Sequence, residues 1–168
     1  MSDDAKDEAE EDGWLLARYF KLHLHPAELR TSHSITTEGE AHVARLSMQN
    51  HEINMCACTY KALPHGVAVE TVYSDVLRYL LKNTRAFFET RTPNGATIWQ
   101  QLIDDADVVI AHPNAWGLRE QHVLRRAAIR ADCVPVARAD SRIRFVSEGE
   151  ASVHFCIVHG KLATKLKV

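Results

Sequence analysis

From Val72 onward, apolar positions recur at three- and four-residue spacing: Val72, Val76, Leu77, Leu80, Leu81, Phe87 and Phe88, with Thr84 in the same stripe. That period predicts a long amphipathic helix. Leu63-Pro64-His65-Gly66 reads as the turn before it, and Thr92-Pro93-Asn94-Gly95 as the turn that ends it. Thr97-Ile98-Trp99-Gln100 then has the form of a capping box, predicting a short second helix to about Asp104 with Thr97 as its cap.

The period changes at Asp107-Val108-Val109-Ile110-Ala111-His112-Pro113, a β-branched run bounded by acids and a proline, which predicts a buried strand. Leu118, Leu124, Ala127, Ala128 and Ala131 return to helical spacing, with Pro135 expected to break that helix and a polar loop to follow as far as Ser141. Ile143-Arg144-Phe145-Val146 predicts a second strand. Behind it, Ser147-Glu148-Gly149-Glu150 fits a capping box that launches a last helix through Val158, with Gly160 as its stop. The order helix, strand, helix, strand, helix implies α/β architecture with parallel strands joined by a right-handed helical crossover. Two strands make a thin sheet, so the pattern reads as an excerpt of a larger α/β domain.

The signal is weaker upstream. Trp14, Leu15, Leu16, Tyr19, Phe20 and Leu22 suit a short helix over Gly13–Leu24 that ends before Pro26. From Thr31 to Tyr60 no regular element is assigned, apart from a weak strand at Ile53–Tyr60. The chain therefore divides into an acidic tail at 1–12, a poorly patterned region at 13–62, the α/β segment at 63–160 and a basic tail at 161–168.

Composition sharpens this only slightly. With 168 residues, 46% hydrophobic and 25% charged, the chain has the make-up of about one globular domain. No run approaches the roughly 20 apolar residues of a membrane span. The acidic start is the opposite of a secretory or mitochondrial leader, so a cytoplasmic location is expected. Residues 1–12 hold seven acids and one lysine, so the net charge of −2 leaves an excess of four positive charges on the rest. That excess is too small and scattered to predict a phosphate-tracking groove, and no nucleic-acid partner is expected.

Cys56, Cys58, Cys133 and Cys156 form no disulfide framework. The last two lie in apolar-periodic segments, where free cysteine behaves as a small buried hydrophobe. Cys56 and Cys58 with His51, His23 and His25 could be drawn as a zinc site, but Cys-x-Cys lacks the usual spacer and a second pair, so no metal is expected. Ser152 is in no nucleophile elbow.

One resemblance adds to this reading. His112-Pro113-Asn114-Ala115-Trp116, Gln121, Arg125-Arg126-Ala127-Ala128-Ile129-Arg130-Ala131 and Phe145 through Ile157, in that order, resemble DnaK-type heat-shock chaperones of a divergent branch abundant in fungi. The Val67–Gly95 stretch looks like the same family, Trp14–Arg30 more loosely, and Ala115 replaces an expected glycine. The resemblance implies a partial actin-like, ribonuclease-H-like ATPase lobe, with ATP and magnesium as cofactors and client proteins as partners. It places Pro113 at the family's switch proline, Glu148 at the glutamate that relays nucleotide state, and Gln121 where the family has the relay arginine. Gln121 keeps a hydrogen-bonding group but loses the charge and fork of guanidinium.

Neither an acid followed by Gly-Thr-Thr nor Asp-x-Gly-Gly-Gly-Thr occurs in the sequence. Such loops cradle phosphates because only glycine lets successive N–H groups approach the oxygens. The expectation is an ATPase-lobe piece that does not turn over ATP alone. The alternatives are a non-catalytic interaction module, with self-association through exposed sheet edges and the Val72–Phe88 helix, and a truncated relic.

Overall fold

The computed structural model describes residue 17 and residues 19–32, 35–37 and 58–160. The expected tails at 1–12 and 161–168, and most of Thr31–Tyr60, lie outside the described residues. The chain divides into two units, Met1–Val72 and Tyr73–Val168.

Of the helix expected over Gly13–Leu24, residues 13–16 and 18 lie outside the described residues, and Phe20–Leu24 forms a 3-10 turn entered through Tyr19 at φ 54°. Pro26 does more than terminate it. Its carbonyl accepts from the N–H groups of Leu29 and Arg30, so it opens the short helix α1, Ala27–Ser32. A proline costs little at a helix start, where its missing N–H would have no intrahelical partner. Strands β1 (Ile35–Thr37) and β2 (Cys58–Tyr60) pair in parallel, from Ile35 opposite Cys58 to Thr37 opposite Tyr60. The weak strand expected at Ile53–Tyr60 thus appears over its last three residues, and β1 was not expected.

Helix α2 runs Val69–Arg91, as its period predicts. Its apolar residues split into two stripes. Leu77 and Leu81 join the core, and Phe88 meets Trp99 at 5.6 Å. Leu80 and Phe87, which share the predicted stripe, are more than half exposed, with Arg91 lying over the Phe87 ring.

Helix α3, Gly95–Ile103, starts two residues before the expected Thr97 cap. Asn94 turns the chain through φ 56°, and its carbonyl accepts from the Ile98 N–H. This corner puts Gly95 hard against the end of α2: a Cβ there would stand 2.8 Å from Glu89 Cα and 2.9 Å from the Phe88 carbonyl oxygen. Backbone cannot yield as a flexible side chain can, so the start is fixed by glycine and not by threonine.

Strands β3 (Val108–His112) and β4 (Ile143–Ser147) pair in parallel, in register from Val108 opposite Ile143 to His112 opposite Ser147. Between them run α4 (Leu118–Arg130), a 3-10 turn at Val136–Arg138 and the short helix α5 (Ala139–Arg142). The last two replace the expected polar loop. Arg125 explains part of this, because its guanidinium donates to the Ala139 and Ile143 carbonyls while lying over the Phe145 ring. Arg142 adds a second brace, donating to the Asp104 carbonyl and pairing with Asp105 and Asp107.

The core is Ala128, Ala131, Cys133, Val134, Ala139 and Ile143, with Leu77, Leu81, Val108, Ile110, Ile129 and Phe145 against it. Strand alternation turns Val108, Ile110 and Phe145 toward this core and leaves Val109 on the other face, where it is 60% exposed. Burial pushes the Cys133 thiol up, and Asp132 adds to this while Arg78 opposes it, which fits a buried, reduced cysteine. Cys156 does not follow the expectation: it is exposed on helix α6 (Glu148–His159), none of whose residues is buried.

The end of α4 also differs from expectation. Asp132 takes φ 59°, its N–H donates to the Ile129 carbonyl, and the Cys133 N–H reaches back to the Ala128 carbonyl. That is a Schellman stop, and it acts before Pro135. An aspartate there carries the left-handed strain that glycine would not, with its charge at the negative end of the helix. Asp132→Gly is expected to raise stability by about 1 kcal/mol, read as an increased denaturation midpoint in urea with unchanged slope.

Candidate functional site

The three positions singled out from the sequence gather at one end of the sheet. His112 ends β3, Ser147 ends β4, and the two are register partners. Pro113 starts the turn that leads into α4, Gln121 is on the first turns of α4, and Glu148 is the first residue of α6. Parallel strands put their carboxyl ends side by side, and each helix that follows begins there, so two helix N-termini share this edge.

Each helix start is closed by its own glutamate. The Gly117 N–H donates to Glu120 Oε2 at 2.9 Å, and glycine has no side chain to complete the reciprocal half of a box. At α6 the box is complete, as the sequence predicts: the Ser147 N–H donates to Glu150 Oε2 at 2.8 Å, and the Glu150 N–H donates to Ser147 Oγ at 3.1 Å. The bonds from the Ser147 N–H and hydroxyl hold the Glu150 carboxyl below the usual carboxylate range.

Gln121 meets His112. Its Nε2 lies 3.1 Å from His112 Nε2, while His112 Nδ1 lies 2.8 Å from the Pro113 carbonyl oxygen. A carbonyl only accepts, so Nδ1 carries the proton and Nε2 receives one from the glutamine amide. The imidazole, 5% exposed, thereby has a partner at both nitrogens. Gln121 is thus engaged by a histidine on the preceding strand, and Glu148 sits exposed at the α6 start.

Two residues that sequence reasoning left without a role complete the arrangement. Asn114 Oδ1 accepts from the Gly149 N–H at 2.8 Å, tying the turn after β3 to the first turn of α6. Gly149 is what admits it: a Cβ there would stand 2.7 Å from Asn114 Oδ1. The available signal was a glycine in the second position of a helix, where its propensity is poor. Trp116 packs as a core anchor, 5% exposed and edge-on to Tyr73 at 6.5 Å.

Chemically, the strand ends do not fit the phosphates of ATP. The N–H groups of Gly117, Ser147, Gly149 and Glu150 already donate to side-chain oxygens of this chain. Glu120, Glu148 and Glu150 gather negative charge where phosphates need donors and cations. For the drawn zinc site, Cys56 and His51 lie outside the described residues, and His23 Nε2 lies 3.1 Å from the Lys61 carbonyl oxygen. Among the described residues no group of three or more His, Cys, Asp or Glu is placed to hold a metal, and no helix is long and apolar enough to cross a membrane. No protein-family model, curated protein or solved structure matches this chain.

Two predictions follow from the geometry. Gly149→Ala in the otherwise natural chain is expected to lower stability, because its methyl displaces the Asn114 amide. In an Asn114→Ala background the same change is expected to raise it by about 0.5–1 kcal/mol, the ordinary advantage of alanine over glycine in a helix, so a double-mutant cycle should show a change of sign. Glu150 has a folded pKa below its unfolded value, so its stabilisation is present above the unfolded value and is lost as pH falls through the folded one. Urea titrations from neutral to acid pH should show the natural chain's advantage over Glu150→Gln shrinking over that window.

Proposed function

We propose that this chain is a non-catalytic protein-interaction module, built on a piece of an actin-like ATPase lobe of the heat-shock-chaperone type. It works by presenting apolar surface to protein partners rather than by turning over ATP. The observation that carries this reading is α6: twelve residues with Val153, Phe155 and Val158 exposed at 58%, 65% and 70%, and not one buried side chain. A helix apolar on several sides is ordinarily enclosed by protein, and contiguous apolar surface on a polar background marks interaction sites. Val109 on the uncovered face of the sheet, and Leu80 and Phe87 on α2, extend the same character.

The absence of both glycine-rich strings from the sequence and the internal use of the helix-start donors support the non-catalytic half of the proposal. A second reading, nucleotide binding, is favoured by one observation. The carboxyl ends of parallel strands with helices starting beside them are where open α/β sheets bind ligands.

The test is titration calorimetry of the folded chain with Mg·ATP, followed by hydrophobic-dye fluorescence. No heat of binding is expected, together with dye enhancement that falls when Val153, Phe155 and Val158 are changed to serine. Micromolar or tighter ATP binding would remove the non-catalytic half. A folded chain that binds no dye would remove the interaction half.

A further inference from the structure

Within the second unit, helix α2 carries three stripes of different chemistry. Ser74, Leu77, Leu81 and Phe88 lie inward, buried or packed against the core and Trp99. Asp75, Arg78, Lys82, Arg85 and Glu89 recur at spacings of three, four, three and four residues and gather the charge, with Arg78 paired to Asp75 at 2.8 Å and Arg85 to Glu89 at 2.7 Å. Val76, Leu80, Asn83, Phe87 and Thr90, at spacings of four, three, four and three, form the third. This stripe holds no charged residue; Val76 is half-buried and the other four are exposed. The alternation of three and four keeps residues on one side of a helix and is the spacing of a helix-helix seam.

The polar groups of the third stripe are already bonded to their own helix. Asn83 Nδ2 donates to the Tyr79 carbonyl at 2.7 Å, and the Thr90 hydroxyl reaches the Ala86 and Phe87 carbonyls at 2.9 and 3.0 Å. Groups so bonded lose little when water is removed from them. A helix face that stays in water is ordinarily polar and charged, and α2 places its charge on a different face. Contact with solvent does not account for Leu80 and Phe87.

We propose that the third stripe of α2 is the seam of a twofold homodimer in which two copies of the helix pack antiparallel. The inference rests on the reading of the chain as an interaction module and commits it to one partner, a second copy. Leu80 and Phe87 are equidistant from the midpoint between Asn83 and Thr84, and so are Val76 and Arg91. A twofold axis at that midpoint sets Leu80 of each copy against Phe87 of the other, and brings Asn83 Oδ1 to the Thr84 hydroxyl across the axis. Arg91, which lies over the Phe87 ring, stays at the rim with its methylene stem against Val76. A parallel pairing would instead face Arg91 with Arg91 and align the two helix dipoles, both repulsive. An uncharged stripe has nothing with which to select a charged partner, whereas its symmetric order of residues complements itself. Tyr79, beside the seam, and Leu80 and Phe87 within it are 65%, 53% and 63% exposed. At roughly 200 Å² for a large side chain, these and their smaller neighbours let a pair cover on the order of 1,000 Å², the lower bound for a specific interface.

The test is sedimentation equilibrium of the full chain from about 1 to about 200 μM, where a dimer with a Kd on the order of 10 μM is expected. Leu80→Lys and Phe87→Glu are each expected to weaken it about tenfold, and an equimolar mixture of the two variants to recover it, because only the antiparallel pairing sets residue 80 against residue 87. Val153→Ser/Val158→Ser on α6 is expected to leave the dimer unchanged. Circular dichroism verifies folding; Leu80→Gln and Phe87→Gln replace a charged variant that does not fold, each expected to weaken the dimer severalfold. The proposal is overturned if the natural chain is monomeric at about 200 μM, if the α6 variant dissociates the dimer and the α2 variants do not, or if the mixture fails to recover it. A monomer whose α6 still enhances dye fluorescence overturns this pairing and leaves the interaction-module reading in place.

Discussion

A pair of parallel strands cannot hold itself together in water, since its backbone hydrogen bonds are exchanged against bonds to solvent and its side chains bury nothing alone. What makes β3 and β4 a sheet is the alanine face of α4. Ala127, Ala128 and Ala131 are essentially inaccessible to solvent. Ala128 and Ala131 pack with Ile143 in the core, with Val108, Ile110 and Phe145 against it. Everything after that is adjustment to the helix: Arg125 reaches from it to brace α5, Arg78 donates from α2 to the Arg130 carbonyl at its negative end, and Asp132 turns the chain sharply back.

Because α4 and α6 both begin at the same end of the sheet, their unsatisfied N–H groups accumulate there. An open α/β sheet ordinarily spends such groups on a ligand. This chain spends them on Glu120, Glu150, Ser147 and Asn114. The result is an edge tied by side-chain hydrogen bonds and acidic at its rim, which anchors two helices. The surfaces that those helices display differ in character. α6 shows apolar residues on several sides, and α4 shows bases, and the two characters lie in different parts of the unit.

The division between what was legible in the sequence and what was not follows from range. Val108–His112, Ile143–Ser147, the α4 stripe and the Ser147-to-Glu150 box are set by period and by bonds within four residues, and the sequence by itself determined them. So was the parallel pairing, since a helix between two short apolar runs leaves little alternative. The tertiary structure alone decided that α3 starts at Gly95, because the obstacle is the backbone of Glu89. It decided that Gln121 engages His112, and that Gly149 serves Asn114 thirty-five residues away. It also decided that Cys156 is exposed, although its apolar neighbours predict burial. Hydrophobic period tells which residues could be covered by something. Whether anything is there to cover them depends on elements distant in the chain, and no local pattern carries that information.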